Sequence, residues 1–150
     1  MEIGVPMQQV EQLFKTLGGT TVLKRHVHSA NDVRAMIHKG LPYKSLEAIA
    51  ATYHLDLARM MSIISVSPRT MARRKEEQRL SAQESDRLAR VARILGYATE
   101  VFGTETRVST WLTRPHRILD GTAPIDLLDT DLGSQVVESM LGRIEHGVIG

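Results

Sequence analysis

Ser67-Pro68-Arg69-Thr70-Met71-Ala72-Arg73-Arg74 is the stretch whose reading decides the fold. Ser67 suits an N-cap, because its hydroxyl can accept from a first-turn N–H, and Pro68 suits the first helical position, where an N–H has no partner anyway. A basic helix therefore follows. In front of it Leu57 to Ile64 reads as a short helix, and Ser65-Val66 leaves room only for a tight turn. Two short helices at that spacing, the second rich in arginine, form a helix-turn-helix over about residues 57–79, the pattern that lays its second helix in a DNA major groove. Ser67, Arg69, Thr70, Arg73 and Arg74 are the candidate DNA-binding residues, with 69/73 and 70/74 as i, i+4 pairs. Arginine there can take guanine O6 and N7 bidentately, and threonine can meet a phosphate or a thymine methyl. Ile64 and Met71 supply the apolar contacts between the two helices. Two positions depart from the usual motif: Ser65 stands where the turn often has glycine, and Met61 where a small residue is common. The competing reading is a solvated basic helix face. Glu76 and Glu77, poorly placed against phosphates, favour it.

Outward from this motif the chain is helical throughout. Upstream, Val10, Leu13, Phe14 and Leu17 form an i, i+3, i+4, i+7 stripe that Gly18-Gly19 ends. Residues 20–28 suit a strand as well as a helix. Ser29 with Asp32 opens a short helix to about Lys39, closed by Gly40, and Pro42 starts another with Leu46, Ile49, Ala50 and Tyr53 on one face. Downstream, Ser81-Ala82-Gln83-Glu84 is a capping box. It opens a long amphipathic helix ending near Gly103, with Leu88, Val91, Ala92, Leu95 and Val101 inward. Beyond Gly103, Pro115, Gly121, Pro124 and Gly133 punctuate short pieces. Thr130 caps a final helix with the stripe Leu132, Val136, Val137, Met140, Leu141 and Ile144, and Gly147 stands at its C′ position. No Ser/Gly linker intervenes. The expectation is an all-α protein of two apposed parts: residues 1–103 with the helix-turn-helix, and residues 104–150.

Bulk properties narrow the functions. A chain of 150 residues buries about 68–70% of its unfolded surface, so a core needs no staples. The absence of cysteine excludes disulfides, thiolate zinc sites and cysteine nucleophiles. Without a leader-like N-terminus or a window near the ~18 apolar residues that span a bilayer, a cytoplasmic protein with no membrane partner is expected. The net charge is only +2, but residues 1–80 hold 12 Lys/Arg against 7 Asp/Glu and residues 81–150 hold 7 against 10. Those halves, +5 and −3, suggest a polyanion for the first and a different partner for the second. Six scattered aromatics are too few for a base-stacking platform. No phosphate loop, nucleophile elbow or His-Glu-x-x-His helix occurs. His26 and His28 read as surface residues, and Asp120, Asp126 and Asp131 as turn and first-turn residues. No enzyme, metal or cofactor is expected.

The C-terminal part carries the more specific signal. Residues 118–150 contain Arg143 as their one basic residue against six acidic ones, the wrong sign for DNA and suited to a basic protein partner. Its run Trp111-Leu112, Leu119, Gly121, Pro124, Leu127-Leu128, Gly133, Val137, Leu141, Arg143-Ile144, His146-Gly147 resembles the toxin-binding C-terminal domain of the Xre/MbcA/ParS antitoxin family. The likeness extends back through Ala98-Thr99-Glu100-Val101-Phe102-Gly103 to the helix-turn-helix and Gly40-Leu41-Pro42, about residues 29–147. Asp120 stands where many members have a second glycine. The resemblance implies an Xre-like helix-turn-helix bundle followed by a small helical toxin-binding domain. It implies a type II antitoxin whose partner is a RES-domain toxin, similar to ADP-ribosyltransferases and acting on NAD, with the operon's own double-stranded promoter DNA as second partner. A homodimer or a higher hetero-oligomer with toxin is expected. Carried onto this sequence, it assigns toxin binding to Trp111, Leu112, Pro124, Gly133, Val137, Leu141, Arg143, Ile144, His146 and Gly147. The Val148-Ile149 pair that follows is added as a tail that orders on binding. A stand-alone regulator whose C-terminal half only dimerises is the alternative.

Overall fold

Ser81 opens the helix on which the rest of the chain is assembled. Its hydroxyl accepts from the Glu84 N–H at 3.1 Å, while Glu84 Oε1 accepts from the Ser81 N–H at 2.9 Å, the reciprocal box the sequence predicts. The computed structural model describes residues 4–147, so the Val148-Ile149 tail lies outside the described residues. In chain order the helices are α1 (Met7–Thr16), α2 (Gly19–Leu23), α3 (Ala30–Lys39), α4 (Tyr43–Thr52), α5 (Leu57–Ile64), α6 (Pro68–Glu77), α7 (Ala82–Phe102), α8 (Glu105–Thr113) and α9 (Asp131–Glu145). Two 3-10 turns, Arg117–Leu119 and Pro124–Leu127, join α8 to α9. Only isolated bridges, Pro42 with Arg79 and His116 with Thr122, interrupt this pattern among the described residues. The fold is all-α, as the periodicity predicts.

α7 packs against α1, α3, α5, α8 and α9. A helix surrounded in this way must be apolar on more than one face. Leu88, Val91, Ala92, Ile94, Leu95 and Ala98 are indeed all 0% exposed. Val101, expected inward, is only half-buried, because α7 is nearing its end at Gly103 (φ 89) and Ala98 lies against the core instead. One apolar cluster runs from Leu17 to Leu141 and takes in residues of both apposed parts.

Local signals explain the remaining elements. Ser29 Oγ accepts from the Asp32 N–H at 3.2 Å to start α3, and Gly40 (φ 99) ends it. In the stretch left between strand and helix, Gly19–Leu23 forms one short helix that Lys24 closes with φ 60. At the far end Gly147 takes φ 71 and its N–H returns to the Ile144 carbonyl, as a C′ glycine does.

Candidate functional site

The helix-turn-helix forms where the sequence places it. Asp56 Oδ1 accepts from the Arg59 N–H at 2.8 Å to cap α5. At the turn Ser65 adopts a left-handed conformation (φ 57, ψ 52), the one for which glycine is usual. Its N–H returns to Ser62, and that of Val66 to Met61. Ser67 Oγ accepts from the Thr70 N–H at 3.1 Å and lies 3.1 Å from Thr70 Oγ1, so cap and threonine hydroxyls sit together at the start of α6. Ile64 and Met71 are both buried beneath them. Met61 is partly buried against the same core, which accommodates its length.

The three arginines of α6 divide by environment. Arg69 is exposed, with no ion-pair or hydrogen-bond partner among the described residues. Arg73 has a side chain 63% exposed and lies 3.5 Å from Glu77, an i, i+4 surface pair that opposes DNA contact only weakly. Arg74 differs: its side chain is 17% exposed. Its Nε and Nη2 donate to Glu84 Oε1 and Oε2 at 2.7 and 3.0 Å. The expected DNA contact at Arg74 is thus corrected, since this guanidinium ties α6 to the cap of α7. Burial pushes the Glu84 carboxyl upward, but Arg74 and the Ser81 N–H outweigh it and hold the group below the usual glutamate range.

In the C-terminal part, α8 lays Val108, Trp111 and Leu112 into the core. The Trp111 ring lies 5.3 Å from that of Phe102 and 5.5 Å from that of His116. His116 Nε2 is 2.9 Å from the Trp111 carbonyl oxygen. The turn from His116 to Thr122 is closed by the Gly121 N–H donating to the His116 carbonyl at 2.9 Å and the His116 N–H donating to the Thr122 carbonyl at 3.2 Å. Asp120 takes φ 55 itself, which aspartate tolerates, and Gly121 follows at φ 82. At the start of α9 Thr130 Oγ1 accepts from the Gly133 N–H at 2.9 Å, and a Cβ on Gly133 would collide with the Leu127 carbonyl.

The assigned toxin-binding residues separate into two groups. Trp111, Leu112, Pro124, Gly133, Val137 and Leu141 are buried in the chain and shape the module rather than face a partner. Ile144 is partly buried against the same core. Arg143, His146 and Gly147 are exposed. The reason lies in α9, whose stripe carries two faces. Val137, Leu141 and Ile144, at i, i+4, i+7, turn toward the core, whereas Leu132, Val136 and Arg143, at i, i+4, i+11, do not. Leu132 is 72% exposed, Val136 39% and Ile118, from the first 3-10 turn, 59%. Together with Arg143 they border an open groove of about 340 Å³. Ile118 was missed by the sequence reading. The apolar stripe read from the sequence groups Leu132 and Val136 with Val137 and Leu141, although their angular offset on a helix sets them apart. Two polar links tie α9 to α7, Arg93 with Glu138 and Tyr97 donating to Glu145 at 3.1 Å, and Arg59 of α5 lies 3.5 Å from Asp126 of the second 3-10 turn. Among the described residues no acidic or histidine cluster could hold a metal, and no helix is long and apolar enough to cross a membrane.

Residues 32–93 match the antitoxin Xre-like helix-turn-helix domain, and residues 98–147 match the antitoxin Xre/MbcA/ParS C-terminal toxin-binding domain. The chain belongs to the Xre/MbcA/ParS antitoxin family. The antitoxin is 28% identical to an Antitoxin Xre of Photorhabdus laumondii over 99% of both chains. It is 30% identical to a Prs ADP-ribosylating antitoxin of Sphingobium over 75% of this chain and 77% of that one. An Antitoxin Xre of Pseudomonas putida is 40% identical over 53% of this chain and 50% of its own. The exposed face of α9 therefore lies in the antitoxin's toxin-binding domain, and the Arg69 helix in its helix-turn-helix domain.

Proposed function

We propose that this antitoxin neutralises a RES-domain toxin, an ADP-ribosyltransferase-like enzyme that consumes NAD, by laying the groove face of α9 and the tail after Gly147 over the toxin's active-site cleft. In the same reading α6 binds the promoter of its own operon, and the working species is a homodimer or a hetero-oligomer with toxin. The observation that carries the proposal is the exposed Ile118, Leu132 and Val136 face, with Arg143 beside it, inside the domain matched as toxin-binding. An apolar face of this kind is stabilised by a partner that covers it. The Sphingobium relative, an antitoxin named for ADP-ribosylation, supports the class of toxin. Arg69 and Arg73, with the charge of +5 over residues 1–80, support the DNA role.

Co-expression with the adjacent RES-type reading frame tests it. Leu132→Asp/Val136→Asp should fold, since both positions are exposed, and should lose protection of growth and of cellular NAD. Deleting residues 145–150 should weaken protection as well. Undiminished neutralisation by the double variant would overturn the assignment of the face, and full neutralisation by the deletion would overturn that of the tail.

A further inference from the structure

The exit of α6 is pinned to the start of α4. The Tyr43 N–H donates to the Gln78 carbonyl at 3.1 Å, and the Leu80 N–H to the Leu41 carbonyl at 2.9 Å. Gly40 permits the close crossing, since a Cβ there would collide with the Leu80 carbonyl. Beside it lies a notch of about 130 Å³, lined by Arg25, Lys39 and Arg79 over Leu23, Met36 and Pro42. No carboxylate lines the notch. Glu76 and Glu77, the acidic residues at that end of α6, stand outside it, and Glu77 is engaged by Arg73 and Arg74. Arg25 and Lys39 are exposed and have no hydrogen-bond or ion-pair partner among the described residues. The carbonyls at the end of α3, which would repel an anion, are occupied. Those of Met36 and Ile37 accept from the Gly40 N–H, and that of Gly40 accepts from Arg79 Nη1 at 2.7 Å.

Guanidinium and ammonium groups gathered without a carboxylate are the donors that phosphate takes. The notch is well below the roughly 300 Å³ at which ligand pockets begin, so it has room for one phosphate group and not for a nucleotide. Its place beside α6 names the source. α6 has ten residues and is therefore about 15 Å long, more than the ~12 Å width of a major groove. With Arg69 and Arg73 in the groove, the two ends of α6 come up against the two phosphate ribbons that border it. The Ser67 and Thr70 hydroxyls stand at one end and the notch at the other. We infer that Arg25, Lys39 and Arg79 take a backbone phosphate of double-stranded DNA. Arg25 and Lys39, outside the helix-turn-helix, then fix the register of α6 while its own arginines read bases. The inference rests on the DNA role proposed for α6.

Gel shifts of the full-length chain over a range of salt test it, on a duplex from upstream of its own gene and on an unrelated duplex of equal length. Arg25→Ala/Lys39→Ala should melt like wild type, since both side chains are exposed. It should bind both duplexes more weakly by the same factor, about five- to tenfold at about 0.1 M salt, and flatten the slope of log affinity against log salt by about one. Arg69→Ala/Arg73→Ala should instead lose preference for the upstream duplex. Arg107→Ala/Arg114→Ala removes two exposed charges from the toxin-binding part and should leave affinity and slope as in wild type. If the α6 pair weakens binding while the notch pair leaves affinity and slope unchanged, the notch is overturned and α6 keeps its role. An equal loss in the Arg107/Arg114 variant would also overturn the notch, by assigning the effect to net charge. If neither the α6 pair nor the notch pair changes binding, the DNA reading fails and the notch with it.

Discussion

At the residue scale, Arg69 and Arg74 are five positions apart on one helix and have different employment. Arg69 is free for a partner, whereas Arg74 is held by a bidentate carboxylate with both groups largely out of water. Removing one member of such a pair leaves the other buried without compensation, at a cost of roughly 2–4 kcal/mol for a pair that keeps some solvent contact. Arg74→Ala should therefore lower the melting temperature, and Arg69→Ala/Arg73→Ala should not. In a gel shift with the upstream region of its own gene, the double variant should bind more weakly and with a shallower salt dependence. Unchanged, salt-insensitive binding by the double variant would remove α6 from the DNA. The sequence could not separate these arginines. The partner of Arg74 is ten residues further on, and their meeting depends on the angle between α6 and α7.

Elements were more legible than contacts, because caps are local. Ser29, Ser67, Ser81 and Thr130 each accept from the N–H three residues on, and each start follows from the residue type alone. The faces of α9 were less legible, since a helix with apolar residues around more than half its circumference does not reveal which arc the neighbours cover. Val137 and Leu141 were covered by α7, and Leu132 was left open. The capping box of α7 also carries a pH dependence. Glu84 has a folded-state pKa below its ordinary value, so the unfolded chain binds the proton more readily. Its contribution to stability is complete above the ordinary glutamate pKa of about 4.3 and is lost as pH falls from there through the lower folded value. Glu84→Gln should be less stable than wild type at neutral pH, and the difference should shrink in acid. Melting temperatures from pH 7 down to about pH 3 measure this. A constant gap would assign the stability to something other than the ionised carboxylate.

At the scale of the molecule, the helix-turn-helix and toxin-binding regions contribute to one apolar cluster. α7 is flanked by α1, α3 and α5 of the N-terminal, helix-turn-helix part and by α8 and α9 of the toxin-binding part, and Arg59 of α5 reaches Asp126 of the second 3-10 turn. A fragment ending at Gly103 would uncover several side chains of α7, each worth about 1.5–3 kcal/mol of burial, against a total stability of only about 5–15 kcal/mol for a domain. It should show no cooperative melt by circular dichroism and should bind hydrophobic dyes. A sharp transition in that fragment would mean that the N-terminal part folds alone. If the single core holds, protein turnover acquires a particular meaning. A protease that opens either end of this antitoxin opens the other with it, so under the proposed function release of the toxin and of the promoter becomes one event, timed by the unfolding of one helix.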